Sequence, residues 1–215
     1  MKFHVYSLIT GPFQENSYII SDQVSNDCVL IDPGDEAKKI SILIDDNNLN
    51  PIAIINTHAH LDHIGAVDEI KNIYNVPFYL HYAEKPVLES YPMSCRMFGI
   101  EAKPIPSVDH WIQKGGELRI GSFKFLIIET PGHTPGGCCF LIDKSLFVGD
   151  TLFHGSVGRT DLPGGDWNIL EESLLYLMNN ISSDITIYSG HGVETNIGIE
   201  MEKNPFLISL KSNLS

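Results

Sequence analysis

Positive charge is scarce in this chain. Only 14 lysines and arginines stand against 27 aspartates and glutamates, leaving a formal net charge of −13. Such a surface repels phosphate backbones and anionic lipid, so neither nucleic acid nor a membrane is an expected partner. A locally positive cleft around metal ions is the arrangement that would escape this argument. Cysteine is equally sparse. Cys28, Cys95, Cys138 and Cys139 show no Cys-x-x-Cys spacing, and the adjacent pair lies in an apolar, strand-like run whose side chains point to opposite faces. All four read as core residues. No apolar run approaches membrane-spanning length, and residues 1–10, MKFHVYSLIT, lack the basic start, long apolar stretch and small-residue cleavage site of a secretion signal. A cytoplasmic protein is expected. Low-complexity tracts, linkers and short-period repeats are also missing. A length of 215 residues with 43% apolar content suits one domain, 1–215, with a core large enough to need no staples.

What the chain does contain is an alternation of short apolar runs with helical patterns. Strands are predicted at 2–9, 17–20, 28–31, 52–56, 78–81, 123–129, 138–142, 145–148 and 185–189. Helices are predicted at 36–46, 64–74, 166–180 and 197–203, the third with apolar residues at 170, 174, 177 and 178 on one face. Sheets with helices outside them follow from this mixture. Four of the apolar runs end in a turn plus a potential metal ligand: IIN before His58 and His60, FLIIETPG before His133, LFVG before Asp150, and ITIYSG before His191. Strand ends lying side by side bring such residues to one edge, where loops on a rigid scaffold build sites.

The densest of these is THAHLDH, residues 57–63. Three histidines and a carboxylate gain nothing from adjacency unless they bind something, because each polar group withdrawn from water must recover a hydrogen bond or a metal bond. In an extended segment His58, His60 and Asp62 would face one way and His63 the other, so one loop could serve two metals. His133, Asp150 and His191 bring the candidate ligands to seven, and Asp150 has the chemistry to bridge, offering one oxygen to each ion. Taken singly, each of these last three is as compatible with an ordinary Gly-His or Gly-Asp turn as with ligation; their common strand-end setting favours ligation. His4, His81, His110 and His154 are isolated and read as surface or hydrogen-bonded core residues.

THAHLDH, TPGHT, GDTLF and YSGHG, in this order and spacing, resemble the ligand motifs of the metallo-β-lactamase superfamily, and within it the glyoxalase II-like hydrolases. The resemblance runs over nearly the whole chain and implies an α+β fold, a four-layer αββα sandwich. It implies two divalent ions per chain, zinc first, with iron or manganese as alternatives. His58, His60 and His133 would hold one ion; Asp62, His63 and His191 the other; Asp150 would bridge, and Asp62 and Asp150 count as catalytic as well as ligating. IDPG, residues 31–34, also matches the family, whose aspartate supports the site from behind the ligands; Asp32 is the candidate here. A plain turn aspartate before proline is the competing account of Asp32.

GSVGRTDLPGGD, residues 155–166, is similar to short bacterial single-domain glyoxalase II-like proteins, and its GRTD also occurs in persulfide dioxygenases. Arg159 falls where glyoxalase II has a lysine that contacts glutathione, whereas Asp161 replaces that family's tyrosine. Physically, Arg159 could pair with a substrate carboxylate, or with Asp161 or Asp166 to shape its own loop. Classical glyoxalase II carries a further C-terminal helical domain, but only 24 residues follow His191 here. NPFL, residues 204–207, again resembles the short proteins, and the chain reads as complete. The activity implied is hydrolysis of a small-molecule thioester or ester, such as S-lactoylglutathione or a related hydroxyacyl thiol. The alternatives are a mononuclear iron persulfide dioxygenase, a lactone or ester hydrolase of the same fold, and a metal-storing protein without turnover.

Overall fold

The computed structural model describes residues 2–213. It is α+β, and the described residues fall in two compact units: 2–113 with 119–124, and 114–118 with 125–213. The expected domain, 1–215, extends at residue 1 and residues 214–215 beyond the described part.

The first unit is built on a six-stranded sheet in the order β1 (Phe3–Thr10), β2 (Glu15–Asp22), β3 (Asp27–Ile31), β4 (Asn50–Ile55), β5 (Phe78–His81), β6 (His110–Ile112). The first three strands pair antiparallel through short turns, and β3 to β6 run parallel. Parallel neighbours need crossovers. Here these are α1 (Ala37–Asp46) between β3 and β4, then α2 (Leu61–Ile64) and α3 (Val67–Tyr74) between β4 and β5. Ile40 and Ile44 of α1 and Val67 and Ile70 of α3 join Leu30, Ile54 and Phe78 in one buried cluster. Each such side chain contributes about 1.5–3 kcal/mol relative to exposure. Two further helices, α4 (Lys85–Glu89) and α5 (Tyr91–Phe98), lie between β5 and β6.

The second sheet has the order β14 (Thr195–Asn196), β13 (Thr186–Ser189), β10 (Ser145–Gly149), β9 (Cys138–Ile142), β8 (Phe123–Glu129), β7 (Gly116–Ile120). A small hairpin, β11 (Leu152–Phe153) with β12 (Ser156–Val157), follows β10. Its single parallel pair, β10 with β13, is bridged by α6 (Trp167–Asn180). Asp166 caps α6, its Oδ1 accepting from the backbone N–H of Asn168 at 2.8 Å and Ile169 at 3.2 Å. Leu170, Leu174 and Leu177 of α6 meet Leu146 and Ile187 of the sheet and Leu207 and Leu210 of α8 (Pro205–Asn213) in this unit's core. Residues 197–203 form α7. All four cysteines are buried and free, as expected. No helix among the described residues is long and apolar enough to cross a membrane.

Two local expectations need correction. The extended run through residues 58–63 ends at His60 (φ −66°, ψ 156°), and Leu61–Ile64 is helical. Asp62 and His63 are therefore about 100° apart around a helix rather than on opposite faces of a strand. The turn is closed by the His63 N–H donating to the His60 carbonyl at 3.0 Å and by Asn56 Nδ2 donating to the His63 carbonyl at 2.7 Å. The helix expected at 64–74 is accordingly two pieces, interrupted at Gly65 and Ala66.

Candidate metal centre

In the first unit, β3 and β4 end side by side and deliver Asp32 and residues 56–60 to one place. Asp32 is buried with φ 49°, a left-handed conformation that aspartate tolerates because its short side chain bonds locally. Its Oδ1 accepts from the Thr57 N–H at 2.7 Å, and its Oδ2 from the Thr57 hydroxyl at 2.6 Å. The His63 Nδ1–H donates to the same Oδ2 at 3.0 Å. Thr57 Oγ1 has one hydrogen, given to Asp32, so its 3.0 Å contact with His58 Nδ1 is an imidazole N–H donated to the hydroxyl. The consequence is chemical. Both His58 and His63 carry their proton on Nδ1 and keep the Nε2 lone pair for a metal, and Asp32 sets both tautomers, one directly and one through Thr57.

The remaining members of the motif are adjacent. The His58 ring lies 4.9 Å from that of His60 and 4.0 Å from that of His63, and Asp62 Oδ2 is 4.0 Å from His63 Nε2. Asp32, His58 and His63 each place a donor atom within 4.8 Å of the others. The loop is held by two further carboxylates that lie outside the motif. Glu84, fully buried, accepts the Ala59 N–H at 2.8 Å. Glu15, also buried, accepts from Thr10 and Ser17 at 2.9 and 3.0 Å and lies 3.9 Å from His63 Nδ1. Burial pushes the Glu15 carboxyl well above the ordinary range, against the attraction of His63. Neither has a sequence signal beyond being a lone glutamate near an apolar run. Gly34 completes the packing, since a Cβ there would collide with the Asp62 carbonyl oxygen.

The second unit gathers His133, Asp150 and His191. Asp150 Oδ2 lies 3.6 Å from His133 Nε2 and 3.5 Å from His191 Nε2. These separations are long for hydrogen bonds, but two donors each about 2.0–2.1 Å from one tetrahedral zinc ion sit roughly 3.4 Å apart. The donor set thus fits a divalent ion by its spacing and its chemistry. His133 Nδ1 donates to the Arg159 carbonyl at 2.7 Å, which again leaves Nε2 for ligation. The loops bearing the three side chains are tied to one another. Thr130 and Thr151 hydroxyls meet at 3.0 Å, Ser189 Oγ donates to the Leu152 carbonyl at 2.7 Å, and the Gly190 N–H donates to the Gly149 carbonyl at 2.7 Å. At Gly158 a Cβ would collide with the Asp150 carbonyl oxygen, so the 155–166 loop presses on the backbone of the carboxylate.

Arg159 reaches this unit's site through its main chain. Its side chain is 55% exposed and forms a two-pronged pair with Asp161, Nε to Oδ1 at 2.6 Å and Nη2 to Oδ2 at 2.7 Å. The hydrogen bond from Arg159 holds the Asp161 carboxyl down at about 2. Asp166, the other partner considered, is committed to capping α6. Of the isolated histidines, His110 stacks on Tyr79, His4 meets Tyr6 edge to face, and His154 bonds Glu200 at 3.1 Å.

Residues 10–185 match the family model of the metallo-beta-lactamase superfamily. The probable metallo-hydrolase YqgX of Bacillus subtilis is 42% identical over 202 residues, 92% of this chain and 94% of the relative. Hydroxyacylglutathione hydrolase GloC of Haemophilus influenzae is 38% identical over 201 residues, 92% of this chain and 94% of that protein. Among solved structures, TTHA1623 in a di-iron-bound form is similar with a TM-score of 0.86 at 38% identity, covering 94% of this chain and 100% of that one.

Proposed function

The chain belongs to the metallo-beta-lactamase superfamily, and from that membership we propose that it is a cytoplasmic metal-dependent hydrolase acting on small thioesters, with hydroxyacyl thiols such as S-lactoylglutathione as the substrate class. The two units are proposed as halves of one metallo-hydrolase domain. His58, His60 and His133 would hold one divalent ion, Asp62, His63 and His191 a second, with Asp150 shared and zinc or iron as the metal. The observation that carries the reading is Asp150 of the second unit standing 3.5–3.6 Å from two imidazole Nε2 atoms, while in the first unit Asp32 fixes the Nδ1 protons of another pair of histidines.

When bound, such ions supply a hydroxide nucleophile near neutral pH and Lewis acidity toward a carbonyl. The chain's own part is preorganisation. Asp32, Thr57 and the Arg159 carbonyl hold three imidazoles in the ligating tautomer before any ion arrives, so no protein proton has to be moved from Nε2. Arg159 is proposed to bind a substrate carboxylate on the Nη1 edge of its guanidinium, the edge its pairing with Asp161 does not use. No serine or cysteine nucleophile is needed, and the −13 charge speaks against nucleic acid or anionic membrane as partners.

The test is metal analysis of purified protein joined to turnover assays on S-lactoylglutathione, a lactone and a persulfide with an oxygen electrode. About two ions per chain with thioester cleavage is the expected result. S-lactoylglutathione left intact at high enzyme concentration would sink the proposal, and one iron per chain with oxygen uptake would replace it with the dioxygenase.

A further inference from the structure

Helix α7 carries a glutamate that its surroundings do not explain as a surface charge. Glu200 is 1% exposed in a chain already rich in acidic residues. Its Oε1 accepts from His154 Nδ1 at 3.1 Å and from the Thr195 hydroxyl, and its Oε2 accepts from the Gly155 N–H at 2.8 Å and Asn204 Nδ2 at 2.9 Å. Asn204, also fully buried, extends the same contact to the carbonyls of Ser156 at 3.0 Å and Phe153 at 3.4 Å. Burial alone would raise this carboxyl, but the hydrogen bonds from Thr195, Gly155, Asn204 and His154 outweigh it and keep it below the ordinary glutamate range. An ionised carboxylate accepts all four donors at once.

These donors do not come from arbitrary places. Residues 153–156 form the turn of the β11–β12 hairpin that directly follows Asp150, and Thr195 opens β14, which directly follows the His191 loop. One carboxylate therefore grips the far end of both loops whose near ends carry Asp150 and His191. We propose that Glu200 is a positioning residue that fixes these two loops against each other and so sets the separation of the Asp150 carboxylate and the His191 imidazole. This rests on the reading above that both side chains are metal ligands. Glu200 touches neither ion nor substrate; it acts through backbone it holds in place, and the NPFL segment takes part through Asn204.

The experiment is stopped-flow release of zinc from the loaded full-length protein to a chromogenic chelator, with wild type, Glu200→Ala and Glu200→Gln. The alanine variant should release zinc on the order of tenfold faster in one kinetic phase, the lower end of what loss of an outer partner does to metal affinity. The glutamine variant should recover most of the wild-type rate. Its amide oxygen can accept from Gly155 and Asn204, and its NH2 can donate to Thr195 and His154, both able to reverse roles. Should Glu200→Ala fail to fold, Thr195→Val, which removes one donor, is expected to accelerate release roughly threefold in the same phase. Unchanged release from a folded alanine or valine variant overturns the proposal. So does a glutamine variant as leaky as alanine, which would assign the effect to charge rather than position. A wild-type protein that takes up no zinc overturns the ligand assignment itself, and this inference with it.

Discussion

Replacing Asp32 with asparagine should reverse two imidazole tautomers while leaving the fold nearly untouched. The substitution is isosteric, and asparagine also accepts the left-handed backbone at φ 49°. The Thr57 N–H needs an acceptor, so the amide oxygen must occupy the Oδ1 position, and the NH2 then replaces Oδ2. There it donates to the Thr57 hydroxyl and to His63 Nδ1, both of which formerly gave it a proton. His63 is driven to carry its hydrogen on Nε2. Thr57, now an acceptor from the amide, turns its own hydrogen to His58 Nδ1, and His58 is driven the same way. Disturbing one outer partner of a ligand costs about 10- to 100-fold in metal affinity, so two imidazoles turned together should cost on the order of 10² to 10⁴. Within the Asp32 cluster itself each hydrogen bond is kept, so the metal-free protein should lose less stability than with Asp32→Ala, although the new Nε2 hydrogens of His58 and His63 point into the buried metal site. Asp32→Ala separates the two effects, because it leaves two Thr57 donors and one His63 donor buried without an acceptor, at about 1–3 kcal/mol each. Competition titration with a metal-selective fluorophore and urea unfolding of the metal-free variants read both quantities. If Asp32→Asn binds metal as tightly as wild type, the tautomer argument is wrong.

Other consequences are as direct. His60→Ala and Asp150→Ala should abolish hydrolysis and leave the far-UV circular dichroism of the metal-free protein unchanged, because both sit in loops at strand ends outside the two hydrophobic cores; loss of the folded spectrum would make the metals structural. Arg159→Ala should raise KM for an acidic thioester about 10- to 100-fold and leave a neutral thioester alone; equal losses on both would assign the guanidinium to its loop through Asp161. The Asp161 carboxyl should titrate by carbon NMR with a midpoint of about 2, not the ordinary value of about 3.9. A depressed carboxylate pKa means that the pair's contribution is present above that ordinary value and disappears as pH falls through about 2; a midpoint near 4 would show that the pair does not persist in solution.

The parts of the structure that could be read from the sequence were those with a strong local period or an unusual local density. Phe78–His81, Phe123–Glu129 and Cys138–Ile142 occur at the expected residues, because each is a run of apolar or alternating side chains bounded by turn signals. The histidine-rich motif announced itself by density alone. What escaped detection has no such mark. β11, β12 and β14 are two residues each, and α5 begins at Tyr91-Pro92 with Met93, Met97 and Phe98 exposed, so its apolar residues do not trace a core face. Alternation is the simplest reading of THAHLDH and predicts an extended run through Asp62 and His63; the helical turn there depends on Asn56, whose bond to the His63 carbonyl spans seven residues. Glu15, Glu84 and Glu200 were invisible for a related reason. Glu84 and Glu200 accept hydrogen bonds from residues distant in sequence, Glu15 accepts from Thr10 and Ser17 and faces the distant His63, and a single glutamate in sequence looks like any surface charge.

The proposed thioester substrates would bring a chemical hazard to the protein's own sulfur. A cysteine thiolate can attack the same carbonyl, keep the acyl group and expel the substrate's thiol, leaving the protein acylated. The four cysteines here are disposed against that exchange. All are buried, and burial drives the thiols of Cys28 and Cys139 up to about 12, so that at pH 7 only on the order of one molecule in 10⁵ presents a thiolate at either position. The two also sit in β3 and β9, the interior of a sheet in each unit, where a substrate arrives only if that sheet opens. Resistance to self-acylation is thus a property of the cores rather than of the site, and it requires no cysteine to be absent from the chain.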